Sequence, residues 1–469
     1  MEHKRQFLIC KKKFSHTDFR CVELNNGFFL HHHIDLTISI SDCKQNVLIG
    51  SAFKSELGAI ADDLNDMDLD SWANFTANWS GRWILLIDDT LHIDPGGMLG
   101  CYYGKQKSET VISSSLALLK EKFLFEEEID FKEIAYGNAM NWFPPPLTQF
   151  KGINKLLVGQ RININKLMTE KINRNSNKFA HFTSDEIYKV LAEKLATIVK
   201  NVSDVYGEEI YLPLTGGFDS RTILAALLHN NATFSAFLFD HDNLSNADKN
   251  IPPILTKQFE FPFYFIKRSE PFDDKKYCQY IDNSSGQAAD AGVLFYTYGQ
   301  YEPLDLKSKS DKKIILRGGV WEVGRKIYST ALIKNSLSCE EDIMTNLKQC
   351  FPILKESNLH EKSIRLWVKH TQETNSILSF KDRFYLEQRV AGWLSAIEQA
   401  SDLTGFDRIH PANCQDILDL LSLTATHPQP QIIRLLSPKL LATAFNPKSI
   451  KEVPKRLYKK LHQKVSRWF

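Results

Sequence analysis

Leu212-Pro-Leu-Thr-Gly-Gly-Phe-Asp-Ser-Arg221 is the stretch on which the reading of the chain turns. The apolar run Ile210–Leu214 has the length and composition of a buried strand, and it passes directly into Thr215-Gly216-Gly217. Asp219 and Ser220 then open a helix predicted over Ser220–Leu228. In a parallel sheet, ligands sit beyond the carboxyl ends of the strands, where this turn lies. Two glycines bring the backbone close to a phosphate with no Cβ in the way. Free amides at a helix start, with the helix dipole behind them, make an anion site. Thr215 and Ser220 add hydroxyl donors, and Asp219 adds a hard oxygen ligand for a magnesium ion held with the phosphates. The string is not a Walker loop, because no Gly-Lys-Ser/Thr follows at the required spacing. A bare Gly-Gly would only turn a strand into a helix; the hydroxyls and the acid together point to phosphate.

The surroundings agree with a parallel sheet. Upstream, Thr183-x-x-Glu186 is a capping box, followed by Ile187, Leu191, Leu195, Ile198 and Val202 at helical spacing. Downstream, Phe234–Phe239, Phe263–Ile266 and Ile314–Leu316 read as further strands. Alternating strands and helices imply a sheet covered on both faces. Residues beyond about 340 read as mainly helical. Before about residue 165 the chain differs: Phe28–Leu30, Ile34–Ile40, Val47–Ile49, Trp83–Ile87 and Leu91–Ile93 are strand-like runs between turn residues, with one helical stretch at Leu116–Phe123. That is a β-rich α+β domain. The polar stretch Thr169–Phe182 suits a linker. Two domains, 1–168 and 183–469, also suit a 469-residue chain, too long for one core.

A hydrophobic fraction of 43% and a charged fraction of 24% are ordinary for a globular protein. The net charge of +2 argues against nucleic-acid binding driven by bulk charge. Neither a signal peptide nor an apolar run of spanning length is read. The eight cysteines, at 10, 21, 43, 101, 278, 339, 350 and 414, show no metal spacing and read as reduced thiols, which places the protein in the cytoplasm.

Thr215-Gly-Gly-Phe-Asp-Ser220 resembles the Ser-Gly-Gly-x-Asp-Ser loop of the N-type ATP pyrophosphatases, with Thr in place of the first Ser. Within that group the chain is most similar to the asparagine synthetases and their relatives, the β-lactam synthetases and lasso-peptide cyclases. Gly81–Asp89 and Ile93-Asp-Pro-Gly-Gly-Met-Leu-Gly-Cys-Tyr-Tyr103 resemble the stretch of the glutaminase domain that ends Asp-Pro-x-Gly-x-x-x-Leu-Tyr-Tyr. Phe150–Gly159 resembles Gly-Ile-x-x-Leu-x-Pro-Gly, with Val158 replacing Pro. Leu316-Arg-Gly-Gly-Val-Trp-Glu322 stands where the family has its second glycine- and acid-rich loop, and Asp382–Arg389, with Trp393, resembles a helical signature of divergent members. The resemblance implies an N-terminal sandwich of the Ntn-hydrolase type. It also implies a C-terminal adenine-nucleotide α-hydrolase-like (PP-loop) domain with a helical end. The activity implied is ATP-dependent adenylation of a carboxylate with release of pyrophosphate, after which an amine displaces AMP. In that scheme Thr215, Gly216, Gly217 and Ser220 hold the phosphates, Asp219 the magnesium, Leu214 and Phe237 meet the adenine, and Gly318 with Glu322 closes the site.

The chain also departs from the family pattern. Glutamine-dependent members carry a nucleophilic cysteine directly after the initiator Met, where this chain has Glu2; its first cysteine is Cys10. Its own glutaminase activity is therefore not expected. Trp321 replaces an expected Asp, and the late lysine of relatives has no clean match, Lys439 and Arg434 being the candidates. Asp248 matches an acidic position near substrate, but Pro252-Pro253 is expected to break the helix that should follow. His31-His32-His33 admits a metal but is read as a half-exposed strand. The basic amphipathic tail Lys451–Phe469 suits either a solvated helix or contact with a membrane surface. The expected partner is a small-molecule, peptide or sugar carboxylate, and a homodimer is left open. Two rival readings stand beside the ligase: asparagine synthesis from aspartate with free or externally supplied ammonia, and a non-catalytic nucleotide-binding protein.

Overall fold

The computed structural model describes residues 3–131, 140–241, 244–267, 273–284, 287, 312–325, 339–425 and 427–446. Its N-terminal part has twelve strands: β1 (Phe7–Cys10), β2 (Phe19–Glu23), β3 (Phe29–His33), β4 (Ile38–Ile40), β5 (Asn46–Lys54), β6 (Trp79–Ile87), β7 (Thr90–Ile93), β8 (Tyr102–Gln106), β9 (Glu109–Ser113), β10 (Ile153–Lys155), β11 (Gln160–Asn163) and β12 (Met168–Lys171). They form two six-stranded antiparallel sheets, ordered β10-β8-β9-β1-β3-β2 and β12-β11-β7-β6-β5-β4. Side-chain alternation explains how the sheets stack. Val47, Ile49, Ile84 and Leu86 meet Phe7, Ile9 and Leu30 of the other sheet in one core. Their neighbours Leu48, Leu85 and Ile87 face outward, with Trp79 and Trp83, against α1 (Ile60–Asp66) and α2 (Trp72–Thr76). A third helix, α3 (Leu116–Lys122), falls where the sequence predicts one.

The C-terminal part is built on a wholly parallel sheet of β13 (Ile210–Pro213), β14 (Ser235–Phe239), β15 (Phe263–Ile266), β16 (Ile314–Leu316) and β17 (Asp407–Ile409), ordered β15-β14-β13-β16-β17. Helices α4 (Ser184–Tyr206), α5 (Phe218–His229), α6 (Asn246–Phe259) and α7 (Asp274–Ser284) belong to this part. The capping box forms as read, and Ile187, Leu191, Leu195, Ile198 and Val202 are all buried. The chain is thus a mixed α/β protein with separate antiparallel and parallel sheets.

Several expectations need correction. Ile34–Ile40 is not one strand: the chain turns after His33, and only Ile38–Ile40 pairs with β5. The supposed linker begins inside β12, whose Thr169 pairs with Ile162. His31, His32 and His33 are buried, because β3 lies between β1 and β2. His31 and His33 lie against the rings of Phe14 and Phe19, and no metal-binding group of three His, Cys, Asp or Glu occurs among the described residues. Pro252-Pro253 does not end α6, which continues to Phe259. Ser245 caps its start, Ile251, Pro252 and Leu255 are buried, and the Thr256 hydroxyl donates to the Pro252 carbonyl. The mainly helical end also contains β17, which completes the sheet. The basic tail lies outside the described residues. All eight cysteines are free thiols, and no described helix is long and apolar enough to cross a membrane.

The two parts meet where β6 begins. Arg82 makes a bidentate pair with Asp402 at 2.9 and 3.0 Å, Ser51 Oγ donates to Asp407 at 2.6 Å, and Asn413 Nδ2 donates to the Gly81 carbonyl at 2.6 Å. Lys155 reaches across to the Ala391 carbonyl and to Ser395 Oγ. Burial lowers the Lys155 pKa to about 7.

Candidate phosphate-binding site

β13 is the central strand: β14 lies on one side and β16 on the other, so strand order reverses beside its carboxyl end. That switch point is where open α/β sheets form their crevice. The loop after β13 occupies it. Thr215 N donates to Ser220 Oγ at 3.1 Å, and the Thr215 and Ser220 hydroxyls lie 3.0 Å apart. Gly217 is the N-cap of α5 and supplies no side-chain cap, so the first turn of that helix keeps amides for an incoming acceptor. Gly216 packs tightly, since a Cβ there would lie 3.0 to 3.2 Å from Ala247. The Gly216 amide donates to Asp248 Oδ1 at 2.7 Å. Asp248, itself tied to Ser245, therefore braces the loop across the start of α6.

Arg221 holds the loop from beneath. It is fully buried, and its guanidinium donates to the carbonyls of Gly216 (3.0 Å), Thr443 (2.7 Å) and Ala444 (2.6 Å). Burial lowers its pKa to about 10. Phe445 stacks on Phe218 at 4.2 Å and also underlies Arg221, while Asn446 N donates to the Gly216 carbonyl at 3.0 Å. The segment Thr443–Asn446 is thereby strapped to the loop.

Asp219 faces the second loop. Gly318 lies so close to it that a Cβ would stand 2.8 Å from the Asp219 carbonyl carbon. Gly319 N donates to His410 Nδ1 at 3.1 Å, which anchors the other side of that loop. Trp321 is fully buried in the core. Glu322 opens the short helix α8 (Glu322–Arg325) and accepts from the Tyr385 hydroxyl at 2.6 Å. Arg325 Nη1 donates to Asp219 Oδ2 at 2.8 Å, and Gln429 Nε2 donates to Asp219 Oδ1 at 2.9 Å. Burial raises the Asp219 pKa to about 6; Glu322 adds to the rise, and Arg325 and Gln429 oppose it.

Thr215, Gly216, Gly217, Asp219, Ser220, Gly318 and Glu322 are thus gathered at one end of the sheet. Leu214 and Phe237 are joined by a 2.9 Å backbone bond, but their side chains are buried in different clusters. Lys439 is exposed on the turn Pro438–Ala442, where its carbonyl accepts from Gln258; Arg434 is exposed and donates to Gln431. Arg325 and Gln429 were not anticipated, and no local pattern marks them, since they lie 106 and 210 residues from Asp219. Asp219 and Glu322 are two hard carboxylates near the loop, and a magnesium ion that arrives with phosphates is commonly held by one or two. The donor set fits such an ion once Asp219 is released from its present partners.

No protein-family model matches the chain, and no curated protein matches it. Among solved structures it is similar to NMN synthetase from Francisella tularensis, at 16% identity over 47% of this chain and 94% of that one, with a TM-score of 0.21. A glutamine phosphoribosylpyrophosphate amidotransferase from B. subtilis, complexed with ADP and GMP, is 10% identical over 57% of this chain and 61% of its own, with a TM-score of 0.20. A glutamine-dependent NAD+ synthetase from Acinetobacter baumannii, in complex with ADP, is 13% identical over 53% and 56%, with a TM-score of 0.17.

Proposed function

We propose that the chain is an ATP-dependent, AMP-forming amide ligase of the asparagine-synthetase kind, without glutaminase activity of its own. The observation that carries this reading is the loop Thr215–Ser220, which enters α5 at the switch point of a parallel sheet with two hydroxyls and an acid at its mouth. Support comes from the chain's own residues.

The first amides of α5 and the hydroxyls of Thr215 and Ser220 receive the phosphates. Asp219, with Glu322 nearby, would hold a magnesium ion, which would neutralise phosphate charge. Gly318 lets the second loop close on Asp219. The substrate carboxylate attacks the α-phosphorus, the α–β phosphoanhydride bond breaks and pyrophosphate leaves. An amine then attacks the acyl carbon, AMP departs, and the amine gives up its proton. Leu214 and Phe237, at and near the carboxyl ends of β13 and β14, are the positions the resemblance assigns to the adenine, and Lys439 is the candidate late cation.

The test is thermal melting of the wild type and Asp219→Ala with and without Mg-ATP, followed by a screen of carboxylates for pyrophosphate release. A magnesium-dependent rise of a few degrees, absent in Asp219→Ala, is the expected result. A folded wild type that melts unchanged at millimolar Mg-ATP removes the nucleotide site. Binding without pyrophosphate release from any acceptor favours the non-catalytic nucleotide-binding reading, and release with aspartate alone favours asparagine synthesis from ammonia.

A further inference from the structure

The charges around Asp219 are arranged unusually for a site that is to receive phosphates. Two carboxylates, Asp219 and Glu322, face the region, and the position where relatives carry another acid is the buried indole of Trp321. Two of the nearby cations are committed elsewhere. Arg221 is spread over three backbone carbonyls behind the loop, and Arg317 is paired with buried Glu398. Arg325 differs from both. Its bond to Asp219 Oδ2 uses one nitrogen, Nη1, of a group that carries five N–H donors in a planar fork. The pair is partly open to solvent, with side-chain exposure of 33% for Arg325 and 25% for Asp219. The pair rests on one hydrogen bond, whereas a guanidinium binds phosphate through two parallel ones.

We propose, building on the nucleotide reading above, that Arg325 is a phosphate-binding residue that exchanges partners. It holds Asp219 while the site is empty of nucleotide and moves to the pyrophosphate arm when nucleotide enters. One movement does two things: it brings a cation to the phosphates, and it frees Asp219 Oδ2 for the metal that travels with them. Asp219 is accordingly a competitor for Arg325 without magnesium and a partner of the ligand with it, so removing Asp219 has opposite effects under the two conditions.

Calorimetric titration with inorganic pyrophosphate, with and without magnesium, tests this in the full chain, its Arg325→Gln, Arg325→Lys and Asp219→Ala variants, and the Asp219→Ala/Arg325→Gln double variant. Without magnesium, Arg325→Gln is expected to weaken binding by about tenfold or more. Arg325→Lys should retain part of the affinity, because it keeps the charge and loses the fork. Asp219→Ala should tighten magnesium-free binding several-fold and weaken binding in magnesium, with the double variant losing the gain. A purely structural pair predicts instead that both single variants weaken binding alike under both conditions, and that result overturns the exchange. Arg325→Gln within twofold of a wild type that does bind also overturns it, while leaving the nucleotide reading intact. A folded wild type that binds neither pyrophosphate nor Mg-ATP removes both.

Discussion

Two arginines stand at opposite ends of the second loop. Arg317, at its start, pairs with Glu398, which is fully buried and also contacts His410 at 3.1 Å. Burial alone would raise the Glu398 pKa, but Arg317, His410 and Arg408 outweigh it and hold it far below the usual carboxylate range. Arg325, just beyond the end of the loop, pairs with Asp219, where burial wins over the guanidinium and the carboxyl pKa rises to about 6. The first arrangement surrounds its acid with Arg317, His410 and Arg408 and ties the loop to the helical layer. The second leaves its acid poorly compensated and reachable from solvent. A difference of a few residues along one loop thus separates a fixed joint from an exchangeable contact.

The largest effect is expected at a third arginine, Arg82, whose pair with Asp402 is a fixed joint between the two parts of the chain. Arg82→Ala leaves Asp402 buried without its bidentate partner, and urea denaturation should show a loss of about 3–5 kcal/mol. Replacing both by apolar residues, as in Arg82→Met with Asp402→Leu, should recover most of that loss; if it does not, the pair contributes more than its mutual compensation.

A smaller effect is expected with pH at Lys155. Its pKa in the folded protein, about 7, lies below the ordinary value of 10.5. The unfolded chain therefore binds the extra proton between those values, and stability rises with pH through that window. The slope from this group approaches about 1.4 kcal/mol per pH unit. Denaturation at pH 7 and pH 9 should show the rise, and Lys155→Met should flatten it; an unchanged slope in the variant would assign the pH dependence to other groups.

The smallest effect belongs to the exchangeable contact. Without ligand, Arg325→Gln should change stability by less than about 1 kcal/mol. A loss comparable to that of Arg82→Ala would make the Asp219 pair a second joint and erase the distinction.

How much of this could be read in the sequence follows the same division. The loop Thr215–Ser220 was legible because its glycines, hydroxyls and acid are contiguous and each has a local physical role. Helix α4 was legible because its cap and apolar face repeat at fixed spacing. β17 was not, because Asp407-Arg408-Ile409 carries two charges, and the burial of Asp407 depends on Ser51 and Tyr206, which are distant in the chain. The helix through Pro252-Pro253 was not, because burial and a good cap outweigh the lost backbone donors. Asp248 was discounted for the same reason, although its carboxylate holds the Gly216 amide. Arg325 and Gln429 gave no signal, since what selects them is their meeting with Asp219 in the folded chain.

The strap of Thr443–Asn446 has a consequence for the order of assembly. Arg221 and Ala444, joined by a 2.6 Å bond, are 223 residues apart. On the ribosome, the glycine loop is made long before the segment that fastens its underside. The nascent sheet can bury its apolar strands early, yet the Gly216 carbonyl and the Arg221 guanidinium must wait for the late segment. The loop is set in its final shape only once Thr443–Asn446 has emerged, so shape at this mouth arises late in synthesis.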